Sequence, residues 1–561
     1  MTESLTGYPS IDKPWLKYYS EEAKNPKFPE CSIYEFLYER NKEHPSDYAL
    51  NYFGKKITYR ELFSMIDEVA KAFNAIGVKP GEVVSIVTVS TVTSVVCFYA
   101  LNKIGAVSNF LNVLSEEKDL INYFKEAKSK VVVTLDLFAE KVVSAANQSE
   151  VENVIAYSID ENMPLLTKVG YKLKVRNEKI SIDNSVILWA NFLKMAENQP
   201  QIKYKKNPKK LALLAHTGGT TGIPKAVMLN DMSINSATQT YVYMMSNAKQ
   251  KDVFLHVMVP FVAYGLISCT HVPLCLRFCC TLIPKFESRD INKYIKKYSV
   301  NHIMAVPSYL MELKSGISLS KIKNIAVGGD GLNGELENNI NDILNECNSK
   351  AVLTKGYAMT EACATAVASF KHVNKTESVG IPLPGNNIMI YDRESRKELP
   401  YGEVGEICLQ CKSRMIGYLD NEEETKNLFW IHKDGSEWLH TGDLGYVDED
   451  GFVFLIGRMK RIILTTGGGV AYKVFPNTVE EVLIKHQDVV NCCVVGATEG
   501  ENQVLKAVVV SEQNEKEDVE YSLRKLCKEE LPSHARPTFY EFVEELPLTA
   551  AGKVDYKLLE G

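Results

Sequence analysis

The stretch Thr217-Gly-Gly-Thr-Thr-Gly-Ile-Pro-Lys225 follows an apolar run, Leu211–Ala215, that is typical of a buried strand. Its three glycines allow the backbone to turn tightly and to bring successive amide N–H groups close to an anion. A Walker A loop is excluded, because Pro224 stands where that motif needs glycine and Ala226 stands where it needs serine or threonine. We interpret the stretch as a phosphate-binding loop whose contacts come from Thr217, Gly218, Gly219, Thr220, Thr221, Gly222 and Lys225. A ligand-free turn between two strands is the alternative for this segment taken alone.

The size of the chain indicates more than one domain, since 561 residues exceed what a single hydrophobic core organises. Hydrophobic residues make up 45% and charged residues 24% of the sequence, as in ordinary globular proteins. The net charge of −6 gives no reason to expect a nucleic acid or an anionic membrane surface as a partner.

The cysteines favour a reducing compartment. They number thirteen, an odd count, and are scattered from Cys31 to Cys527 in a chain too large to need disulfide staples. Cys408 and Cys411 form a CxxC pair, but residues three apart in a predicted strand face opposite sides, so we do not expect a zinc site there. The N-terminus lacks the basic and apolar regions of a signal peptide. These features predict a cytoplasmic protein.

Two uncharged stretches, Val83–Asn102 and Val253–Leu276, are long enough to raise the question of a membrane span. The first carries six serine or threonine residues, and the second contains two prolines and two histidines. We expect each stretch to form a buried strand followed by a buried helix, and the protein to have no integral membrane segment.

The first two-thirds of the chain have the pattern of an α/β fold. Short β-branched runs alternate with helical patterns, which indicates layers with largely buried parallel strands. The predicted strands include Val131–Leu135, Leu211–Ala215, His302–Val306 and Ile325–Val327, and the predicted helices include Glu61–Ala75 and Ile291–Tyr298.

From about Gly385 the pattern changes to short strands punctuated by glycine, which predicts a β-rich subdomain. These strands are Asn387–Tyr391, Gly405–Leu409, Gly445–Val447 and Gly451–Leu455. After the basic segment Gly457–Arg461, predicted helices (Val479–Ile484, Val519–Leu526) mix with predicted strands (Val489–Val495, Val504–Val510). We therefore predict an α/β protein with a large N-terminal domain of layered sheets plus a β-rich subdomain (residues 1–457). A small, mobile α+β C-terminal domain (residues 458–561) would be joined to it by a hinge at residues 457–461.

The segment Gly356-Tyr-Ala-Met-Thr-Glu361 combines an aromatic ring, a hydroxyl and a carboxylate. The Tyr357 ring can stack on a purine, the Thr360 hydroxyl can reach an α-phosphate, and the Glu361 carboxylate can hold Mg²⁺. A strand-to-loop turn with an exposed acid is the alternative. Upstream, Gly328-Gly-Asp-Gly-Leu332 would by itself be an ordinary turn.

Three segments near the end of the chain carry further charged candidates. His440-Thr-Gly-Asp-Leu-Gly445 predicts a tight, glycine-flanked turn whose Asp443 carboxylate can accept both hydroxyls of a ribose, although such turns are frequent. Gly457-Arg-Met-Lys460 follows it, and Pro547-Leu-Thr-Ala-Ala-Gly-Lys-Val-Asp555 places a lysine after a glycine in an apolar loop. A lone lysine near a C-terminus is more often solvated surface.

Taken together and in this order, these segments resemble the signature motifs of the class I adenylate-forming (AMP-binding) superfamily, of the acyl-CoA synthetase type. The resemblance covers nearly the whole chain, and its one departure in these motifs is Ala358, where glycine is usual. It implies that Gly329 and Asp330 line an adenine pocket together with Gly356 and Tyr357. Further roles implied by the resemblance are ribose binding by Asp443 and Arg458, metal binding by Glu361 and Thr217, hinge motion at Lys460, and catalysis by Lys553 with Thr360 and Glu361.

The reaction implied by the resemblance has two halves. A carboxylate attacks the α-phosphorus of MgATP to give an acyl-adenylate and pyrophosphate, and a thiol, expected to be that of CoA, then releases AMP. Lys553 would stabilise developing charge rather than transfer a proton. ATP, Mg²⁺ and CoA are therefore the expected ligands, together with a small-molecule carboxylic acid.

The sequence departs from the resemblance at the acyl pocket. Val262 stands where many acyl-CoA synthetases carry a histidine, and no acidic residue occurs from Val253 to Leu276, which argues against an amino-acid substrate. We expect Val262, Ala263, Tyr264 and Cys363 to line an apolar pocket, although ordinary core packing explains each residue equally well. The segment Leu464–Pro476 is a few residues longer than usual for the loop beside the thiol tunnel.

Three functions remain open at this point. The first is an ATP-dependent ligase that joins an apolar or aryl carboxylic acid to CoA. The second is an acyl- or aryl-AMP ligase that loads the thiol of a separate carrier protein. The third, a non-catalytic nucleotide-binding relative, predicts loss of charged catalytic positions, whereas Lys225, Glu361, Asp443, Arg458 and Lys553 are all present.

Overall fold

The structure of the protein is a computed structural model. It describes residues 5–174, 186–202, 207–217, 225–245, 251–315, 319–332, 334–467, 470–500, 502–511, 513, 515–548 and 554–560.

The helices come mostly in the first two-thirds of the chain. They are α1 (Pro9–Asp12), α2 (Glu21–Lys24), α3 (Ile33–Asn41), α4 (Tyr59–Ala75), α5 (Val92–Ile104), α6 (Glu117–Glu126), α7 (Ala139–Ala146), α8 (Leu165–Lys174), α9 (Trp189–Lys194), α10 (Asp231–Met244), α11 (Val272–Cys275), α12 (Ile291–Tyr298), α13 (Pro307–Leu310), α14 (Gly334–Glu346), α15 (Glu422–Leu428), α16 (Pro476–Leu483), α17 (Lys516–Glu530) and α18 (Tyr556–Glu560). A π-helix, Tyr264–His271, leads directly into α11.

The strands are spread along the whole chain. They are β1 (Tyr48–Tyr52), β2 (Lys55–Thr58), β3 (Val83–Val87), β4 (Val107–Leu111), β5 (Val131–Leu135), β6 (Asn153–Tyr157), β7 (Ile187–Leu188), β8 (Leu211–His216), β9 (Ala226–Asn230), β10 (Val253–His256), β11 (Cys279–Leu282), β12 (His302–Ala305), β13 (Asn324–Gly328), β14 (Leu353–Met359), β15 (Ala364–Ala368), β16 (Ser378–Pro382), β17 (Asn387–Asp392), β18 (Lys397–Glu398), β19 (Gly405–Gln410), β20 (Gly417–Tyr418), β21 (Phe429–Ile431), β22 (Glu437–Val447), β23 (Val453–Arg458), β24 (Ile463–Gly467), β25 (Val470–Val474), β26 (Val489–Glu499), β27 (Asn502–Ser511) and β28 (Phe539–Val543).

Two large sheets form the body of the protein. The first has the order β18-β17-β19-β22-β23-β16-β15-β14-β13-β12-β10-β11-β1-β2, with β21 paired on β22, and the second has the order β20-β9-β8-β4-β3-β5-β6-β7. Pairing is parallel from β1 through β11, β10, β12 and β13 to β14, and from β8 through β4, β3, β5 and β6 to β7. The predicted α/β layers with buried parallel strands are confirmed.

The two uncharged stretches form strand–helix pairs, as predicted. The first stretch forms β3 and α5, and almost every side chain of α5 is buried, which explains why the helix carries so little charge. The second forms β10, the π-helix and α11. Within the described residues, the helices are too short or too polar to cross a lipid bilayer.

The β-rich region continues the first sheet rather than forming a separate one. Strands β15 and β16 follow β14 with antiparallel pairing, and β23 then pairs with β16. The change from parallel to antiparallel pairing therefore begins at Ala364, earlier than the change in sequence texture near Gly385. The sheet brings β14 and β22, which are far apart in sequence, to the same part of the molecule.

The residues after Arg461 have a hydrophobic core of their own, which includes Val479, Leu505, Val509 and Leu523. Strands β26, β27 and β28 form its sheet, and α16 and α17 pack on it. The segment Leu464–Pro476, expected to be a loop, instead forms most of the antiparallel hairpin β24–β25. Pairing between the two strands gives hydrogen-bond partners to backbone groups that a loop would leave exposed. The domain boundary and its mobility stay predictions.

Gly380 offers a test of the join between the two halves of the first sheet. Its φ is +105°, and an added Cβ would lie 2.0 Å from the carbonyl carbon of Ala368 in β15. We expect Gly380→Ala to lower the free energy of unfolding by about 3 kcal/mol or more, because left-handed strain and overpacking add. Gly402→Ala is the matched control, since its φ of +77° is also strained but nothing lies within 4 Å of an added Cβ.

Thermal and urea unfolding followed by circular dichroism measure both variants. Gly402→Ala is expected to cost only about 1 kcal/mol. Equal losses for the two variants would contradict the steric account of this join.

Candidate active site

The phosphate-binding loop predicted from the sequence connects the antiparallel strands β8 and β9. Strand β8 leads into it and β9 leads out, with His216 and Ala226 as register partners at its base. The Lys225 backbone N–H donates to Thr217 Oγ1 at 3.0 Å, and the Thr217 N–H donates to the Lys225 carbonyl at 3.0 Å. These two bonds close the base of the loop. Gly218, Gly219, Thr220, Thr221 and Gly222 lie outside the described residues.

The Lys225 ammonium points at an acidic residue that the sequence analysis did not single out. Its Nζ lies 2.6 Å from Glu424 Oε2 and 4.9 Å from the centre of the Tyr418 ring. The bond to Lys225 lowers the pKa of Glu424, and Lys460 adds a weaker Coulombic effect in the same direction. Glu424 lies on α15, whose first turn is capped by the Asn421 side chain.

Tyr418 connects this lysine to the predicted metal-binding residue. The Tyr418 hydroxyl donates to Glu361 Oε1 at 2.6 Å. Strand β20 holds Tyr418 in place by pairing with β9, where Tyr418 lies opposite Val227. Burial is the largest cause that raises the pKa of Tyr418, and the nearby Glu361 and Glu424 carboxylates raise it further. Thr360 and Glu361 lie in a short 3₁₀ turn directly after β14.

A second group of predicted residues meets around Asp443. The Tyr357 hydroxyl donates to Asp443 Oδ2 at 2.6 Å, and Arg458 Nε lies 3.0 Å from Asp443 Oδ1. Burial raises the pKa of Tyr357 well above its ordinary value, and the Asp443 carboxylate raises it further. The Asp443 charge in turn raises the pKa of Arg458. These contacts hold the Asp443 carboxylate in a fixed direction.

The tight turn predicted around Asp443 is wrong: the segment His440–Gly445 lies inside the long strand β22. Glu406 of β19 lies opposite Leu444, and Cys408, two residues on, lies opposite His440, so β22 contains a bulge between these positions. Gly442 supplies the positive φ of 72° that the bulge needs. Like a turn, a bulge changes the direction in which one side chain points. Unlike a turn, it does not end the strand.

A buried network supports the bulge from behind. Glu406 Oε1 accepts from the Gly442 N–H at 2.9 Å, and Arg393 binds both Glu406 oxygens at 2.6 Å. His440 Nδ1 lies 2.8 Å from Glu406 Oε2 and 3.4 Å from Cys408 Sγ. Burial alone raises the pKa of Glu406, but the bonds from His440 and Arg393 outweigh it and lower the pKa to about 2.

Glu406, Cys408 and His440 are close enough together for a metal ion. The donor set does not fit one, however, because the Arg393 guanidinium already occupies the carboxylate and would repel a cation. Cys411, the second cysteine of the CxxC pair, lies just past the end of β19. All thirteen cysteines fall within the described residues, and none of them forms a disulfide.

The predicted adenine-pocket glycines lie beside Tyr357. Strands β13 and β14 are parallel, with Gly328 opposite Gly356. Gly329 has a φ of +89°, which lets the chain leave β13 sharply, and Asp330 accepts from the Gly331 N–H at 2.9 Å. The structure thus places Gly329 and Asp330, just past the end of β13, beside Gly356 and Tyr357 in the neighbouring strand β14.

The predicted acyl-pocket residues lie on the neighbouring π-helix and its approach. Ala263 is buried and Val262 and Tyr264 are partly buried. The Tyr264 ring would lie 3.8 Å from a Cβ added at Gly328, so this ring borders the glycine pair.

Cys363 connects the pocket to the Thr360–Glu361 turn. It is buried in a left-handed conformation, with a φ of 61°, and burial raises the pKa of its thiol well above the ordinary value. Strand β15 begins one residue later, and its Thr365 hydroxyl lies 2.9 Å from the Tyr241 hydroxyl and 3.4 Å from Ser268 Oγ on the π-helix. The residues predicted to line the acyl pocket therefore lie on or next to elements that pack against each other, the π-helix and β15. Ala263 and Cys363 also belong to the main hydrophobic core, and Tyr264 packs against it.

Two further residues predicted for the site come from the C-terminal part of the chain. Lys460 lies in the 3₁₀ turn Met459–Arg461 after β23, and Lys553 lies outside the described residues. Leu548 and Val554 on either side of Lys553 form an antiparallel bridge.

Tyr418 and Glu424 are the residues that sequence reasoning missed. The segment Gly417–Glu424 has one possible signal, a tyrosine ahead of an Asn-capped acidic run. Nothing local in that run indicates that its partner is Lys225, which is 199 residues away.

Comparisons with known proteins identify the family. The family model for AMP-binding enzymes matches residues 37–419, and the model for the AMP-binding enzyme C-terminal domain matches residues 478–553. The chain belongs to the AMP-binding enzyme family. It is an adenylate-forming enzyme of the acyl-CoA synthetase type, as the sequence motifs predicted.

Relatives of this adenylate-forming enzyme align over almost the whole chain. A long-chain-fatty-acid–CoA ligase of Bacillus subtilis is 28% identical over 97% of this chain and 96% of its own. A probable 4-coumarate–CoA ligase of Dictyostelium discoideum is 28% identical over 97% of each chain.

Solved structures share the fold. ATP-bound MatB from Rhodopseudomonas palustris has a TM-score of 0.80 at 23% identity, covering 94% of this chain and 98% of its own. The anthranilate CoA ligase AuaEII with anthranoyl-AMP has a TM-score of 0.79 at 21% identity, covering 96% and 98%. The predicted fold class is confirmed.

The ion pair between Lys225 and Glu424 yields a test of the nucleotide site. Glu424 competes with phosphate for the same ammonium, so Glu424→Gln is expected to lower the Kd for ATP about three- to fivefold, the range of a half-exposed ion pair. Isothermal titration calorimetry measures this constant. Glu423→Gln on the exposed side of the same helix is the control. Weaker ATP binding by Glu424→Gln would mean that Glu424 supports the nucleotide site.

Proposed function

We propose that this protein is an ATP-dependent carboxylic acid:CoA ligase that forms an acyl-adenylate and then an acyl-CoA thioester, releasing pyrophosphate and AMP. The observation that carries the proposal is the pair of connected groups around Lys225 and Asp443. One connects Lys225, Tyr418 and Glu361, and the other connects Tyr357, Asp443 and Arg458. Together they provide a cationic group suited to phosphates, an anionic group suited to ribose hydroxyls and an aromatic ring suited to a base.

The first half-reaction requires an anionic acid to approach an anionic triphosphate. A carboxylate oxygen of the acid attacks the α-phosphorus, the bond from that phosphorus to the bridging β-oxygen breaks, and pyrophosphate leaves with the electron pair. Lys225 and the loop amides would screen the phosphate oxygens, and Lys553 would stabilise the charge that grows at the α-phosphate. The Asp443 carboxylate would hold the ribose, with Arg458 beside it. The Tyr357 ring would lie against the adenine.

A magnesium ion fits the residues predicted for it. The Glu361 carboxylate is a hard anionic ligand, and its Oε1 accepts a hydrogen bond from the Tyr418 hydroxyl. The Thr217 hydroxyl oxygen accepts from Lys225 and has capacity for a further ligand. When bound, Mg²⁺ would neutralise phosphate charge. Glu361 and Thr217 would hold and orient it.

The second half-reaction transfers the acyl group to sulfur. The CoA thiolate attacks the acyl carbonyl, the mixed anhydride bond breaks, and AMP leaves. A turn of the C-terminal domain about residues 457–461 would remove Lys553 and open the approach for the thiol. The β24–β25 hairpin directly follows residues 457–461 in the chain and would border that approach.

The acid is apolar or aryl. Val262, Ala263, Tyr264 and Cys363 offer an apolar lining, and the segment Val253–Leu276 contains no acidic residue that could bind an α-ammonium group. The curated relatives that act on a long-chain fatty acid or on 4-coumarate fit this class of acid. A role in fatty acid metabolism and a cytoplasmic location, consistent with thirteen unpaired cysteines, belong to the proposal.

Lys553 provides a test of the first half-reaction. Lys553→Ala is expected to slow ATP–pyrophosphate exchange about 100- to 1000-fold while leaving ATP binding intact, because the lysine acts on the transition state more than on the ground state. Thioester formation from presynthesised acyl-adenylate and CoA is expected to persist. Lys525→Ala, an exposed lysine of α17, is the control. Unchanged exchange in Lys553→Ala would remove this residue from the mechanism.

The thiol acceptor is tested separately. The protein is incubated with ATP, Mg²⁺ and a panel of fatty and aryl acids, with either CoA or a phosphopantetheinylated carrier protein. We expect acid-dependent AMP release to rise at least tenfold with CoA and to stay at its basal level with the carrier. Stimulation by the carrier alone would establish the acyl-AMP ligase function instead. An absence of acid-dependent pyrophosphate release with every acid would defeat both.

A further inference from the structure

Helix α8 presents apolar side chains to solvent. It lies in the connection between β6 and β7, the last two strands of the second sheet. Four side chains, here called the α8 apolar face, are mostly exposed: Leu165 (77%), Leu166 (87%), Val169 (50%) and Leu173 (65%). Residues 165, 169 and 173 recur at intervals of four, so they share one side of the helix, and Leu166 adjoins them. Contiguous apolar patches of this kind mark interaction surfaces.

The opposite side of α8 holds the helix to the protein. Tyr171 is partly buried and packs against the main hydrophobic core. The buried Asp160 carboxylate lies 3.6 Å from Lys168 Nζ and 3.8 Å from Lys172 Nζ. Tyr171 and Lys168 define the inner side of the helix, whereas Lys172 lies at the edge of the α8 apolar face, seven residues from Leu165.

The charge of α8 differs from that of the protein. The helix carries Lys168, Lys172 and Lys174 and no acidic residue, whereas the whole chain has a net charge of −6. Lys172 remains 65% exposed despite its contact with Asp160. An apolar face beside basic residues is the pattern of a helix that lies in the interface of an anionic membrane. The net charge of the whole chain gave no reason to expect a membrane surface. Because it is a sum over all residues, it does not show the local excess of lysines on α8.

We propose that the α8 apolar face docks on a lipid surface that carries anionic headgroups. Leu165, Leu166, Val169 and Leu173 enter the boundary between headgroups and acyl chains, with the helix axis parallel to the membrane. Lys172 contacts the headgroup phosphates, because long lysine side chains reach from an apolar surface to a charged layer. The protein is then bound to the membrane surface without crossing it.

Docking of α8 on a lipid surface does not depend on the proposed function. What docking would do for catalysis rests on that function. Apolar carboxylic acids partition into membranes, so a ligase held at the lipid surface takes its substrate from a concentrated supply. Activity with a short, water-soluble acid would be independent of α8.

Vesicle sedimentation of the full-length protein tests the proposal. We expect the protein to sediment with vesicles of phosphatidylcholine and phosphatidylglycerol, at least tenfold more than with phosphatidylcholine alone, and less as salt is raised. Leu166→Glu/Leu173→Glu is expected to lower binding at least tenfold. The matched control Ile431→Glu/Tyr521→Glu changes two equally exposed apolar side chains elsewhere (75% and 74%) and should bind like the unaltered protein. Lys172→Gln should weaken binding to the anionic vesicles only.

Several results would overturn the proposal. One is that the protein sediments with neither kind of vesicle. Another is that the control variant Ile431→Glu/Tyr521→Glu loses as much vesicle binding as Leu166→Glu/Leu173→Glu. A dimer in light scattering that Leu166→Glu/Leu173→Glu converts to a monomer would assign the face to a second copy of the chain. A fall of several degrees in the melting temperature of that variant would mean that the chain itself covers the face. Acid-dependent pyrophosphate release with a water-soluble acid, measured in every variant, separates failure of docking from failure of the proposed function.

Discussion

The buried carboxylate of Asp443 is the charge around which the candidate active site is arranged. Two elements hold it, the Tyr357 hydroxyl at 2.6 Å and the Arg458 guanidinium at 3.0 Å. A carboxylate with little solvent needs such partners, because an unpaired buried charge is expensive. The three residues come from β14, β22 and β23, so the site depends on the antiparallel strands β15 and β16 that join the two halves of the first sheet. Gly380 lies in that join, where an added methyl group would meet the backbone of β15.

The second connected group carries an internal competition. Lys225 is a candidate ligand for phosphate, yet it forms an ion pair with Glu424, and Tyr418 lies between this pair and Glu361. An acid and a base near a nucleotide site neutralise each other until a ligand with more negative charge displaces one of them. The energy involved is small, since both side chains are half exposed to water. Such a pair adjusts affinity and leaves the chemistry unchanged.

Much of the fold was predictable because its signals are local. The apolar runs of β5, β8, β12 and β13 and the amphipathic patterns of α4 and α12 depend only on residues near each other in the chain. Two errors came from the same limit. The turn expected around Asp443 is a bulge in β22, since its shape is fixed by the register against β19, and the loop expected at Leu464–Pro476 is mostly a hairpin. The local sequence of the bulged segment does not indicate how it pairs with a strand far away in the chain.

By itself, the sequence determined the family and the order of the motifs, and from these motifs it predicted site roles for Lys225, Glu361, Asp443, Arg458 and Lys553. Only the tertiary structure decided which of these groups meet and which unsuspected partners they have. Glu424 pairs with Lys225 across 199 residues of chain, and the α8 leucines face water although their spacing would suit a buried face equally well. The physical reason is that charge pairing and burial depend on distances in space, and these are set by the pairing of strands far apart in the chain.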